Sequence, residues 1–346
     1  MLHAGRPKTG SSSIQHWLEQ QTRQLRDEHG IVPVVARSDA KSEDRSVVET
    51  YKSGKVTSKD FVGRYRQRGR PRAMVDSLVE GLDRLASRGT IVVSAEEFAR
   101  LLKDPDEGFV EGLNRLAEHH SVRLAYYVRP QHTALEATWC QMGFRHRSQT
   151  PSEWVLTVYR SYRYFTIAGR CREAMPNVEF HVRPFRKDLL TDGDVVTDFA
   201  TVLLGMASVP GAHEIWSNPG LPLEAVNLLH HLPRDVLSLR DSVDLSVVKR
   251  HLAGWTPDES DDIVRSRVVL QHFCHETFEK ANQRLIRKEG WAAENFVPPV
   301  AAEALPDGAT GITELDRLWA PSASQGEREL VYLLLKGLLR STGRPS

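Results

Sequence analysis

The chain opens on a short apolar stub (Met1, Leu2), followed by His3, Ala4 and the run Gly5-Arg6-Pro7-Lys8-Thr9-Gly10. Three serines (Ser11 to Ser13) and apolar residues at helical spacing (Ile14, Trp17, Leu18, Leu25) come next. That order reads as a strand, a tight loop and a helix. A loop of this kind aims successive backbone N–H groups, and the positive end of a helix, at one point in space, which suits a phosphate. The nucleoside-triphosphate pattern G-x-x-x-x-G-K-[ST] puts its lysine after the second glycine. Here Lys8 precedes Gly10 and Ser11 follows it. Only Met1 to Ala4 precede the loop, whereas a strand takes about five residues, so the expectation is a native start upstream of Met1.

The remaining pattern alternates strands with helices. Ile31 to Val35, Thr90 to Ser94, Val122 to Val128 and Val178 to Val182 are short apolar or β-branched runs and read as strands. Helices are expected over Met74–Leu85, Phe109–His119, Thr133–Met142, from Ser152 to about Arg172, and Asp194–Leu204, the last closed by Gly205. This succession implies βαβ units, a mostly parallel sheet and helices on both faces. From about residue 207 the pattern turns mainly helical. The expected fold class is therefore α/β, a three-layer parallel sheet over residues 1–206 with a helical C-terminal part over 207–346 packed on it.

Open α/β sheets bind ligands beyond the carboxyl ends of their strands. Thr90 to Ser94 is followed by Ala95-Glu96-Glu97-Phe98, and Val122 to Val128 by Arg129-Pro130-Gln131. With the first loop, these make three ordered motifs. Pro7 to Ser12 resembles the 5′-phosphosulfate-binding loop of sulfotransferases, P-K-[ST]-G-[ST]-[ST]. His3 to Gln15 resembles the longer form H-x-G-x-x-K-T-G-[ST]-[ST]-x-x-Q of bacterial, carbohydrate-type members. A strand ending in S-x-E-x-F and a later strand ending in Y-x-R-x-x are similar to the same layout. The resemblance covers roughly residues 1 to 205.

The resemblance implies a P-loop NTPase-like core and transfer of a sulfuryl group from 3′-phosphoadenosine 5′-phosphosulfate (PAPS) to a hydroxyl, leaving 3′,5′-ADP. It implies Lys8 as the cation at the leaving oxygen and Glu96 as the base. Arg6, Lys8, Thr9, Gly10, Ser11, Ser12 and Ser13 would hold the 5′-phosphosulfate, and Arg129, a planar fork suited to phosphate, the 3′-phosphate. Two departures stand out. The serine expected eight residues after that arginine is Ala137, with Thr138 beside it as the substitute, and the R-K-G-x-x-G element of cytosolic aryl sulfotransferases is missing. A glutamate rather than a histidine at the base position points to a sugar or glycolipid acceptor, and the family branch to a cytoplasmic enzyme. No metal is implied.

Other readings stay open at this level. Glu96 suits an ordinary helix N-terminus, and His3 a satisfied position in a strand. Tyr159, Arg160, Tyr162 and Arg163 fit either a helix with a core stripe or an acceptor-groove wall. Arg68-Gly69-Arg70-Pro71 has the look of a minor-groove DNA clamp, but 46 basic against 45 acidic residues leave a formal charge of +1 and no field towards nucleic acid. That argues for a solvated loop or a basic lid. A nucleotide kinase is the enzymatic alternative. Cys140, Cys171 and Cys274 lack metal spacing and read as buried thiols. No apolar run reaches the roughly 18 residues of a membrane span.

Overall fold

The computed structural model describes residues 1–5, 8–35, 89–94, 98–103, 107–142, 149–211, 223, 226–227, 230, 261–301, 304–305 and 311–319. Two compact units account for them. The first comprises Met1–Pro130, Arg163–Asn218 and Lys280–Glu294; the second comprises Gln131–Tyr162, Pro219–Glu279 and Asn295–Ser346. The expected helix over 74–85 lies outside the described residues.

The first unit is built on a five-stranded, all-parallel sheet. Its strands are β1 (Leu2–Gly5), β2 (Ile31–Val35), β3 (Thr90–Ser94), β4 (Arg123–Val128) and β5 (Glu179–Pro184), in the order β2-β3-β1-β4-β5. Residues 2–5 of β1 are buried throughout. The strand pairs His3 with Ser94 on one side and Gly5 with Tyr127 on the other. It is short yet central, so both edges of its backbone are hydrogen-bonded within the sheet.

Helices α1 (Ser11–Gln20) and α2 (Thr22–His29) follow β1. Ile14, Trp17, Leu18 and Leu25 lie on their buried faces, in one cluster with Val92, Tyr127, Val195 and Phe199. Helices α3 (Phe98–Lys103) and α4 (Glu107–His119) lie between β3 and β4. Consecutive side chains of a strand leave on opposite faces, and β4 shows the consequence. Tyr127 joins the α1 cluster, whereas Tyr126 meets the rings of Tyr164 and Phe180. Apolar packing on both faces is compatible with a three-layer α/β fold.

In the second unit, α5 (Gln131–Met142) packs through Trp139 against Trp154 and Trp319, its indole N–H donating to Asn227 at 3.1 Å. The single helix expected from Ser152 to Arg172 is three pieces: α6 (Pro151–Val158), a 3₁₀ turn (Tyr159–Tyr162) and α7 (Tyr164–Ala174). Arg163, at φ −79° and ψ 67°, breaks it. Two residues apart on one helix, Tyr162 and Tyr164 would point nearly oppositely. The break lets Tyr162 meet Thr138 in the second unit while Tyr164 donates to the Arg129 carbonyl in the first. The cap is also not Ser152. Thr150 and Glu153 form a capping box, and Ser152 binds Asp316 through its N–H and hydroxyl.

The expected Asp194–Leu204 helix starts as α8 (Val195–Asp198), capped by Asp194, and widens into a π-helical turn over Phe199–Leu203. A 29-residue helix, α9 (Asp261–Glu289), and the short α10 (Leu315–Leu318) supply helical structure in the C-terminal part. Among the described residues no helix is long and apolar enough to cross a membrane.

Candidate anion-binding site

Every strand of the sheet ends on the same side. β1 sends its chain towards β2 and β3, while the chain from β4 goes to β5 on the other flank. The crevice between the ends of β1 and β4 is thus the topological switch point, where ligands of open α/β sheets bind. The loop after β1 and Arg129 after β4 both stand there.

The loop has an unusual backbone. Lys8 (φ 67°) and Gly10 (φ 75°) are both left-handed. Gly10 is required twice over: its φ favours glycine, and a Cβ would stand 2.7 Å from a Val195 methyl and 2.8 Å from the Phe185 ring. Lys8 is strained by its own left-handed geometry, and its carbonyl is held by Arg129 Nη1 at 3.3 Å. Left-handed residues within such a loop turn consecutive N–H groups to one side. Gly10 is then the N-cap of α1, with no side-chain cap and no acidic residue in the first turn. First-turn N–H groups have no acceptor within a helix, an arrangement that suits an anion.

Beneath the loop, Ser11 is buried, and its hydroxyl sits 1.7 Å from where a Gly5 Cβ would be. Ser11 Oγ and His3 Nε2 are buried with no hydrogen-bond partner among the described residues. His3 Nδ1 lies 2.7 Å from Ser94 Oγ, and its ring makes edge contacts with Tyr127 and Phe199. Burial pushes its pKa down to about 3, so it is neutral.

The outer wall hangs on Asp198, which is fully buried. It accepts from Arg183 through both oxygens, from Tyr127 Oη at 2.7 Å, and from Thr191 N and Oγ1 at 3.2 Å. Burial, with the Asp198 charge beside it, holds the Tyr127 phenol well above its ordinary pKa. This clamp ties β5 to α8 and so fixes Phe185 and Val195 against Gly10. The Arg129 guanidinium lies 6.0 Å from the Phe185 ring centroid.

The structure thus brings Lys8, Thr9, Gly10, Ser11, Ser12, Ser13 and Arg129 to one place. Arg6, Glu96 and Glu97 lie outside the described residues. Thr138 belongs to the second unit, where its hydroxyl meets the Ala134 carbonyl at 2.7 Å and Tyr162 Oη at 2.9 Å. Tyr159 packs on Phe273 and Phe278. Phe185, Val195, Asp198 and Arg183 are not singled out by the sequence pattern; an aspartate inside the apolar run Val195–Leu203 was the available signal. The chain matches no family model, no curated protein and no solved structure.

Proposed function

We propose that the chain is a PAPS-dependent sulfotransferase with a P-loop NTPase-like core, acting in the cytoplasm on a hydroxyl of a sugar or glycolipid. One observation carries the reading: the Lys8–Ser13 loop enters the uncapped end of α1 and is bonded through its backbone to Arg129. The residues fit a phosphosulfate. Two glycines leave no room for side chains, the buried Ser11 hydroxyl has no hydrogen-bond partner among the described residues, and the first turn holds no carboxylate to repel an anion. The strand order, with the loop leaving a central strand, supports the core assignment.

When bound, PAPS supplies an activated sulfuryl group. The chain's own work is electrostatic and acid–base. The amides and hydroxyls of Thr9 to Ser13 hold the 5′-phosphate side, and the motif assigns Arg6 to the same group. Lys8 sets a positive charge where the leaving oxygen develops its negative one. Arg129 offers a fork to the 3′-phosphate. Glu96 takes the proton of the acceptor hydroxyl.

A binding and transfer assay tests this. The protein should be stabilised against heat by 3′,5′-ADP and should transfer labelled sulfate from PAPS to saccharide acceptors, with simple phenols poor. Glu96→Gln should cost turnover roughly 10²–10⁴-fold and spare 3′,5′-ADP binding, with Glu97→Gln mild. Stabilisation by ATP–Mg²⁺ and not by 3′,5′-ADP would replace this reading with a kinase.

A further inference from the structure

The strand end that precedes Glu96 is gripped from both flanks of the phosphate loop. His3, two residues before the loop begins, meets the Ser94 side chain at 2.7 Å from Nδ1. Gln15, in the second turn of α1, donates from Nε2 to the Ser94 carbonyl at 3.4 Å. Ser94 is the last residue of β3 and is fully buried. It is also the register partner of His3, so the side-chain link adds to the sheet pairing at one point.

We infer that His3 and Gln15 are positioning residues which, through Ser94, hold the end of β3 at a fixed offset from the phosphate loop. This rests on the sulfotransferase reading, in which the loop carries the donor and Glu96 the base. Their separation then decides whether the acceptor oxygen meets sulfur in line, and small displacements of reacting groups are expensive. Elements from opposite sides of the loop converge on one residue, which a link serving stability alone would not require. The His3 ring suits a fixed link, because a neutral imidazole keeps its bond to Ser94 across the working pH range.

The experiment compares His3→Phe, His3→Asn, Ser94→Ala and the double variant His3→Phe/Ser94→Ala in the full chain. Unfolding curves establish the folded fraction of each. His3→Phe keeps a ring against Tyr127 and Phe199 and removes Nδ1; Ser94→Ala breaks the same bond from the side away from the loop. Both should lower kcat about 10- to 100-fold at saturating PAPS and acceptor, with 3′,5′-ADP affinity changed by less than about threefold. The double variant should be no worse than the poorer single one, since both delete one link. His3→Asn, whose amide can reach Ser94 from the Nδ1 position, should recover most of kcat. The inference is overturned if 3′,5′-ADP affinity falls in step with kcat, if kcat is unchanged, if the two losses add, or if Asn is no better than Phe. Failure of the underlying reading looks different: the unaltered protein itself would neither bind 3′,5′-ADP nor transfer sulfate, and the positioning role would fall with it.

Discussion

Arg129 donates from Nη1 to the backbone oxygen of Lys8, 3.3 Å away, and its own carbonyl is held by Tyr164 Oη at 2.8 Å. The guanidinium therefore has two duties in the proposed enzyme: it braces a left-handed loop residue and pairs with the 3′-phosphate. Arg129→Ala should weaken 3′,5′-ADP by about 1.5–3 kcal/mol, roughly ten- to a hundredfold, as for a lost charge-assisted hydrogen bond. AMP lacks the 3′-phosphate and should lose only what the loosened loop costs, less than about 1 kcal/mol. Calorimetric titration of both nucleotides decides it. Equal losses would make Arg129 a brace alone.

The left-handed Lys8 separates stability from activity. That conformation costs a non-glycine residue about 1–2 kcal/mol, so Lys8→Gly should unfold at the same temperature or higher. Turnover should nonetheless fall on the order of 10²–10³-fold, as when one donor to developing charge is removed. A variant that melts early, or one that turns over normally, would show the lysine to be structural or dispensable.

Gly10 offers the opposite case. Gly10→Ala combines a positive φ with contacts of 2.7 Å and 2.8 Å to side chains fixed by the Asp198 clamp. Overpacking of this kind costs about 1–3 kcal/mol before the backbone strain is added. The variant should lose both stability and 3′,5′-ADP binding. Gly169→Ala, in α7 with none of the described residues within 4 Å of the new methyl, should gain about 0.5–1 kcal/mol and bind the nucleotide unchanged. Thermal unfolding with and without 3′,5′-ADP reads both.

These sites differ in how visibly the sequence announces them. The strands were legible because parallel, doubly covered strands are continuous apolar runs, as in Thr90–Ser94 and Val122–Val128. The loop was legible because Gly5, Lys8, Gly10 and the consecutive serines Ser11 to Ser13 fall within nine residues. The break at Arg163 was not, since aromatic and basic residues continue through it at helical spacing, and what ends the helix is the burial of Tyr162 and Tyr164 in different units. Nor was the support beneath Gly10: Phe185 and Val195 lie about 180 residues downstream of it and meet it only after β5 has joined β4. His3 and Gln15 could be quoted as the ends of a motif, but their common partner Ser94 needs the register of β1 on β3.

His3 sets a pH dependence whose sign follows from burial. Its native pKa is about 3 against an ordinary 6.5. Between those values the unfolded chain binds a proton at this residue and the native one does not, so acid favours unfolding there. The contribution is fully present above about pH 6.5 and is lost as pH falls, at up to about 1.4 kcal/mol per unit, until the native imidazole protonates near 3. Carboxylates titrate in the same range, so the difference between the protein and His3→Phe isolates the effect. Urea unfolding from about pH 4 to 8 should give curves that run parallel above pH 6.5 and converge below it as the histidine-bearing protein loses stability faster. Curves that stay parallel down to about pH 4 would mean that His3 is charged, or exposed, in the native state, and would remove the neutral link to Ser94 on which the positioning role depends.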